Sequence, residues 1–302
     1  MALRKILGGI VALGVIGAGA FVFVTAPERL PAADWAAAGA PDLANGERIF
    51  HAGGCVSCHA APGAPDDQKL VLAGGLALKS PFGTFHAPNI SPEETAGIGA
   101  WTLAQFGDAM RRGTGRDGEH LYPSFPYASY ARMTVQDVAD LYGYLRTLPK
   151  SANVAPGHEL PFPFNIRLAL GGWKFLYLNE LPRVDLADAD AAVRRGQYLV
   201  EGPGHCGECH TPRDMLGGLK TGQWLAGGPN PEGEGRIPNI TPVEGRFGSW
   251  SAGDIVNYLE TGFTPEFDSV GGSMVAVQKN MALLPKEDRE AIAAYLKAIP
   301  AR

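Results

Sequence analysis

Cysteine is scarce in this chain, with four in 302 residues, and a strong excess of either charge is lacking. Lys and Arg total 26 against 31 Asp and Glu, a net of −5 at pH 7, and no run of basic residues is present. That composition argues against a nucleic-acid binder, which needs a basic stripe to neutralise phosphates, and suits an ordinary soluble surface. Long apolar runs are missing after the first 24 residues, which excludes a multispan membrane protein. Glycine and proline are plentiful instead, 40 and 24, so the chain must contain extensive loop.

All four cysteines lie in two copies of one pattern, Cys55-Val56-Ser57-Cys58-His59 and Cys206-Gly207-Glu208-Cys209-His210. C-x-x-C-H is the covalent attachment sequence for haem c: two thiols form thioethers to the two vinyl groups, and the adjacent histidine supplies the proximal imidazole to iron. A zinc site or a redox pair also uses C-x-x-C, but neither requires histidine directly after the second cysteine. Two haem c groups are therefore expected, with Cys55, Cys58, Cys206 and Cys209 as attachment residues and His59 and His210 on the irons. Nothing remains for a disulfide, a cysteine axial ligand or a thiol nucleophile. Haem attachment of this kind belongs on the outer side of a membrane, so the expected compartment is the periplasm.

The N-terminus agrees with export. Arg4 and Lys5 precede an uncharged stretch of 19 residues from Ile6 to Val24, and Pro27, Glu28 and Arg29 restore polarity. That length suffices for one membrane-spanning helix. Ala18-Gly19-Ala20 and Val24-Thr25-Ala26 offer small residues of the kind a signal peptidase accepts, so a cleaved signal is the alternative. An anchor over residues 1–30 is preferred, because apolar residues continue past the first candidate and Pro27 directly follows the second. The positive residues place the N-terminus in the cytoplasm, giving a single-pass inner-membrane protein with its body in the periplasm.

An internal repeat organises that body. Cys55 to Cys206 is 151 residues, and so is Pro149 to Pro300. Leu141, Tyr144, Leu145 and Leu148 map at the same offset onto Ile292, Tyr295, Leu296 and Ile299, each set following the i, i+3, i+4, i+7 spacing of an apolar helix face. Thr134-Val135-Gln136-Asp137 has the form of a capping box for the first such helix, and Pro285 suits the start of the second. Ahead of each C-x-x-C-H lies another short helix, with Gly46, Ile49 and Phe50 or Gly196, Tyr198 and Leu199. The glycine lets two helices cross closely and the aromatic is expected beside the haem edge.

Helix, C-x-x-C-H, long loops and a terminal helix ending in Tyr-Leu resembles the cytochrome c domain. The resemblance covers residues 42–150 and 191–302, with 151–190 as connector, and implies an all-α fold of two tandem class I-like domains behind the N-terminal helix. A narrower likeness lies in Asn89-Ile90-Ser91-Pro92 and Asn239-Ile240-Thr241-Pro242, followed by Gly99-Ala100-Trp101-Thr102 and Gly248-Ser249-Trp250-Ser251. Locally these read as turns followed by capped helices carrying core tryptophans. Together with the segment Leu121 to Tyr127, they are similar to the multihaem cytochrome c subunits of membrane-bound bacterial alcohol and aldehyde dehydrogenases. Those relatives often have three haem domains where this chain has two. The resemblance implies redox partners: a dehydrogenase subunit as donor, and a cytochrome, quinone-linked complex or oxidase as acceptor. The connector aromatics Phe162, Phe164, Trp173, Phe175 and Tyr177 are expected to bury against both domains.

The sixth iron ligand separates a carrier from a reaction centre, because Met/His ligation fills both axial positions and raises the potential while an open position admits small molecules. Of six methionines, Met1 falls in the apolar segment, Met110 within a helix and Met215 too soon after His210. Met274, in Gly271-Gly272-Ser273-Met274, is the choice for the second haem, by position and by likeness to the dehydrogenase cytochromes, with Met281 as competitor. In alcohol dehydrogenase cytochromes a methionine commonly stands where this chain has Phe125, so Met133, the nearest methionine before the terminal helix, is the choice for the first haem. His120 or an open site is the alternative, and Leu284 at the matching position makes a packing role for Met133 an alternative too. His51, His86 and His158 are assigned no chemistry, and Arg236, Trp101 and Trp250 are candidates to reach haem propionates. The expectation is a single-electron carrier and not an enzyme, with a dihaem peroxidase as the alternative reading.

Overall fold

The computed structural model describes residues 2–230, 233–245 and 247–302, so the expectation for Met1 lies outside the described residues. Helix α1 (Ala2–Val24) is exposed from Arg4 to Val24, and among the described residues it is the one helix long and apolar enough to cross a membrane. It stops where the Thr25 hydroxyl donates to the carbonyl of Phe21 (2.7 Å), just before Pro27 removes a backbone donor.

A first core follows, built from α2 (Ala32–Ala36), α3 (Leu43–Ala52), α4 (Cys55–His59), α5 (Leu103–Arg112), α6 (Tyr127–Tyr130) and α7 (Val135–Leu145). Asp42 caps α3 through its carboxylate, and Thr102 with Gln105 forms a full capping box on α5. Helices α3 and α7 cross at Gly46, where a Cβ would lie 2.2 Å from the carbonyl oxygen of Asp140; only glycine permits that approach. Ile49, Phe50, Leu72, Val138 and Leu145 fill the space between them.

Helix α8 (Ala169–Tyr177) links this core to a second one of matching construction: α9 (Ala191–Glu201), α10 (Gly207–His210), α11 (Ala252–Thr261), α12 (Met274–Met281) and α13 (Lys286–Ala298). Gly196 repeats the role of Gly46, with a Cβ position 1.9 Å from the Ala291 carbonyl oxygen, and Ser251 with Asp254 repeats the capping box. Leu199, Trp224, Ile255 and Tyr295 lie at the centre of this core.

Three expectations need correction. The fold is mostly helical rather than all-α: β1 (Ala77–Ser80) pairs antiparallel with β2 (Gly83–His86), and β3 (Gly228–Pro229) with β4 (Arg236–Ile237). These ribbons are too short to show a two-residue periodicity in sequence. The connector aromatics divide: Trp173 and Tyr177 pack, but Phe162 and Phe175 stand 79% and 73% exposed, and Phe164 is exposed too. Tyr198 does not face its own core. Its hydroxyl donates to the Asp137 carboxylate at the start of α7, so the Thr134 cap accepts from Asp137 N (3.0 Å) without the return bond of a capping box.

That last contact has a mirror. Asp288, one repeat after Asp137, meets Arg48 (3.8 Å), which occupies in α3 the place of Tyr198 in α9. Asn280 donates to Ser57 Oγ (3.0 Å), and the residues one repeat away, Ser129 and Glu208, are joined by a 2.7 Å hydrogen bond. Each patch touches its own counterpart, the signature of an isologous two-fold interface, here formed within a single chain.

Candidate haem sites

Both C-x-x-C-H motifs form the short helices α4 and α10, and both place the histidine in the same way. His59 Nδ1 donates to the carbonyl of Pro88 (2.8 Å) and His210 Nδ1 to that of Pro238 (2.9 Å). A carbonyl only accepts, so Nδ1 carries the proton and the Nε2 lone pair is left for iron. Burial pushes both imidazoles below their ordinary range, against the raising effect of those hydrogen bonds, which keeps them neutral as a metal ligand must be. Burial also pushes the Cys55 and Cys206 thiols up to about 12, so they stay protonated and are poorly suited to act as free nucleophiles. Among the described residues no cluster of three or more His, Cys, Asp or Glu forms a metal site.

A second pair of positions holds this geometry and was not found in the sequence. Gly74 N donates to the His59 carbonyl and Gly227 N to that of His210, both at 2.7 Å. Both glycines have left-handed φ, and a Cβ on either would lie within 2.7 Å of the backbone of the Pro-Asn segment that holds the histidine. Just before them Leu72 and Leu225 are fully buried with φ of 53° and 58°, a conformation disfavoured for leucine. The repeated Leu-Ala-Gly-Gly at 72–75 and 225–228 was the available signal. Asn89 and Asn239 complete the clamp: the side-chain oxygen accepts from the backbone two residues on, and the amide donates to Ser151 and Asn153 or to Arg302, past the terminal helices.

The residues present fit two haems. The indole nitrogen of Trp250 is buried with no hydrogen-bond partner in the protein, as a donor reserved for a propionate would be, while Trp101 is half-buried and Arg236 exposed. Tyr130, unremarked in the sequence, lies beside Cys55 and Cys58, and burial pushes its phenol well above the ordinary value.

The distal candidates are dispersed. Met274 is half-buried at the first turn of α12, packed against the second core, and Met281 is buried in that core. Met133 is 1% exposed within the first core, as its counterpart Leu284 is buried in the second. The Phe125 ring is half-buried, 5.5 Å from that of Tyr130. His120 lies at the seam between α1 and α8: Arg167 donates to its carbonyl (2.8 Å), and Thr25 and Lys174 are its other neighbours. His51, His86 and His158 make local contacts, to Asn280, to Glu159 and to the backbone of His86.

The two motifs meet. His205, just before Cys206 and held at a φ of 38°, donates from Nε2 to the carbonyl of Gly53 (3.1 Å), two residues before Cys55, and its ring packs edge-on against Tyr130. A Cβ on Gly53 would lie 3.5 Å from Cys55 Sγ and 3.6 Å from the Pro203 carbonyl.

Comparison with known proteins accords with this geometry. The cytochrome c family model matches residues 43–149. A dihaem c-type cytochrome of Cereibacter sphaeroides is 52% identical over 260 residues, covering 86% of each chain. The fructose dehydrogenase cytochrome subunit of Gluconobacter japonicus is 41% identical over 271 residues, 88% of this chain and 54% of that subunit. The alcohol dehydrogenase (quinone) cytochrome c subunit of Gluconobacter oxydans is 35% identical over 270 residues, 86% of this chain and 55% of its own. The chain thus spans about half the length of both dehydrogenase subunits. Two attachment motifs on matching helical cores, and a dihaem relative aligned along most of its length, make the chain a member of the cytochrome c family that carries two covalently bound haem c groups.

Proposed function

We propose that this protein is a membrane-anchored, periplasmic relay that moves single electrons from a dehydrogenase to a respiratory acceptor. The observation that carries the reading is the meeting of the two attachment motifs through Gly53, Pro203 and His205, because electron tunnelling falls steeply with distance and this contact joins the two sites by backbone and one hydrogen bond. Bound haem supplies a one-electron couple whose potential is set by the axial ligands and their surroundings. The protein holds and orients it. Cys55 and Cys58, and Cys206 and Cys209, would form the thioethers, and His59 and His210, oriented by the Pro88 and Pro238 carbonyls, would bind the irons through Nε2. Met274 would supply the other iron ligand at the second haem and Met133 at the first. Residues 42–150 and 191–302 are the two cytochrome units, joined by 151–190.

Membrane anchoring rests on α1, with Arg4 and Lys5 on the cytoplasmic side of an inner-membrane span. A dehydrogenase partner is supported by the names of the fructose and alcohol dehydrogenase cytochrome subunits. A quinone-linked complex, a cytochrome or an oxidase is the corresponding acceptor.

The ligand assignment is tested by Met133→Leu and Met274→Leu, read in the weak near-infrared band of oxidised Met-ligated haem. Leucine keeps the packing at a cost below about 1.5 kcal/mol, so the spectrum isolates ligation. Each variant is expected to lose about half of the band. A band unchanged in Met133→Leu makes Met133 a core residue, as Leu284 is.

A further inference from the structure

The connector leaves an apolar surface that the two cores do not need. Phe162, Phe164, Phe175 and Leu176 are exposed along it, and Met215 and Leu216 extend the same surface from the second core. Side-chain contacts hold these residues together. Trp173 Nε1 donates to the Leu216 carbonyl (3.0 Å), and the Tyr177 hydroxyl donates to Asp214 (2.8 Å). The Phe164 ring packs edge-on against Phe82, 5.1 Å away, and Phe82 in turn borders Gly217. An apolar patch of this kind on an otherwise soluble body marks an interaction site.

Its position beside α1 says what covers it. Helix α8 is seated directly on the end of the apolar helix: a Cβ on Gly171 would lie 2.3 Å from the Thr25 carbonyl oxygen, and one on Gly172 would lie 3.3 Å from the Phe21 ring. Phe175 shares one shallow groove with Gly17, Phe21 and Val24. It therefore stands level with the last two turns of α1, about 10 Å of helix at 1.5 Å per residue. From Pro161 to Leu178 there is no acidic residue; Arg167 is exposed, while Lys174 points inward and its Nζ donates to the Gly113 carbonyl (2.7 Å), so the exposed face of the segment carries apolar side chains and one cation with no opposing carboxylate, a balance suited to lipid headgroups.

We infer that α8 and its flanks are a second membrane contact, an interfacial element whose apolar side chains enter the boundary between headgroups and acyl chains beside the emerging α1. The inference rests on α1 being a span. It adds a function for the connector: with α1 alone the two cores hang from one point, whereas a second contact on α8, bonded to both cores, fixes which face of the relay points to the bilayer.

The full-length, haem-loaded protein in phosphatidylethanolamine/phosphatidylglycerol vesicles tests this, with the photoreactive residue p-benzoylphenylalanine placed singly at Val11 or at Phe175. Both side chains are exposed, so neither replacement disturbs packing. Lipid adducts at both positions are expected on irradiation. An adduct at 11 without one at 175 overturns the inference and leaves the anchor intact, whereas no adduct at either position overturns the anchor reading itself. The same experiment in native membranes distinguishes a protein occupant: crosslinking of position 175 to a polypeptide in place of lipid also overturns the inference.

Discussion

One methyl group at Gly196 is enough to force two helices apart, because its carbon would sit 1.9 Å from a backbone oxygen of α13 that cannot swing away. Gly196→Ala should therefore cost at least the 1–3 kcal/mol typical of overpacking, seen as a lower denaturant midpoint; an unchanged midpoint contradicts the crossing. Gly46 and Gly196 were legible because a glycine at one place in both repeats of an amphipathic helix points to a close backbone approach. The Pro88 and Pro238 carbonyls were not, since a backbone acceptor has no side chain to read. His120 makes a different prediction. Burial, aided by Lys174, pushes its imidazole from 6.5 down to about 4, so the folded state favours the neutral ring. Its contribution is complete above pH 6.5 and is lost as pH falls toward 4, at most on the order of 3 kcal/mol in all. His120→Gln should flatten the stability profile across that window, and an unaltered slope removes His120 as its source.

At the scale of elements, the terminal helices α7 and α13 and the capped helices α5 and α11 follow the sequence pattern closely, because each carries its own apolar face and its own start signal. What the pattern misses are contacts between elements far apart in the chain. Asp137 looked like half of a capping box, yet Tyr198 from the other repeat takes its carboxylate. Tyr198→Phe removes a hydrogen bond to a charged group and should destabilise by about 1.5–3 kcal/mol in equilibrium unfolding. No loss would mean that the reciprocal interface does not depend on this bond. The connector departs from the expected burial for a related reason: apolar side chains bury where water lies on every side, and α8 lies against the end of α1.

For the whole molecule, the 151-residue repeat is also a spatial operation. Two copies of one unit face each other through self-matching patches, and that arrangement brings Gly53 of one attachment loop to His205 of the other. The sequence shows the repeat and its two attachment motifs but has no means of showing that the motifs meet. If the two haems form one relay, rapid mixing of the oxidised protein with a substoichiometric one-electron reductant will reveal it. Time-resolved spectra should show the electron distributed between both haems, in the ratio set by their potentials, before any second encounter with reductant. An electron that stays where it first arrives, redistributing only at a rate that rises with protein concentration, would mean that the two haems act separately.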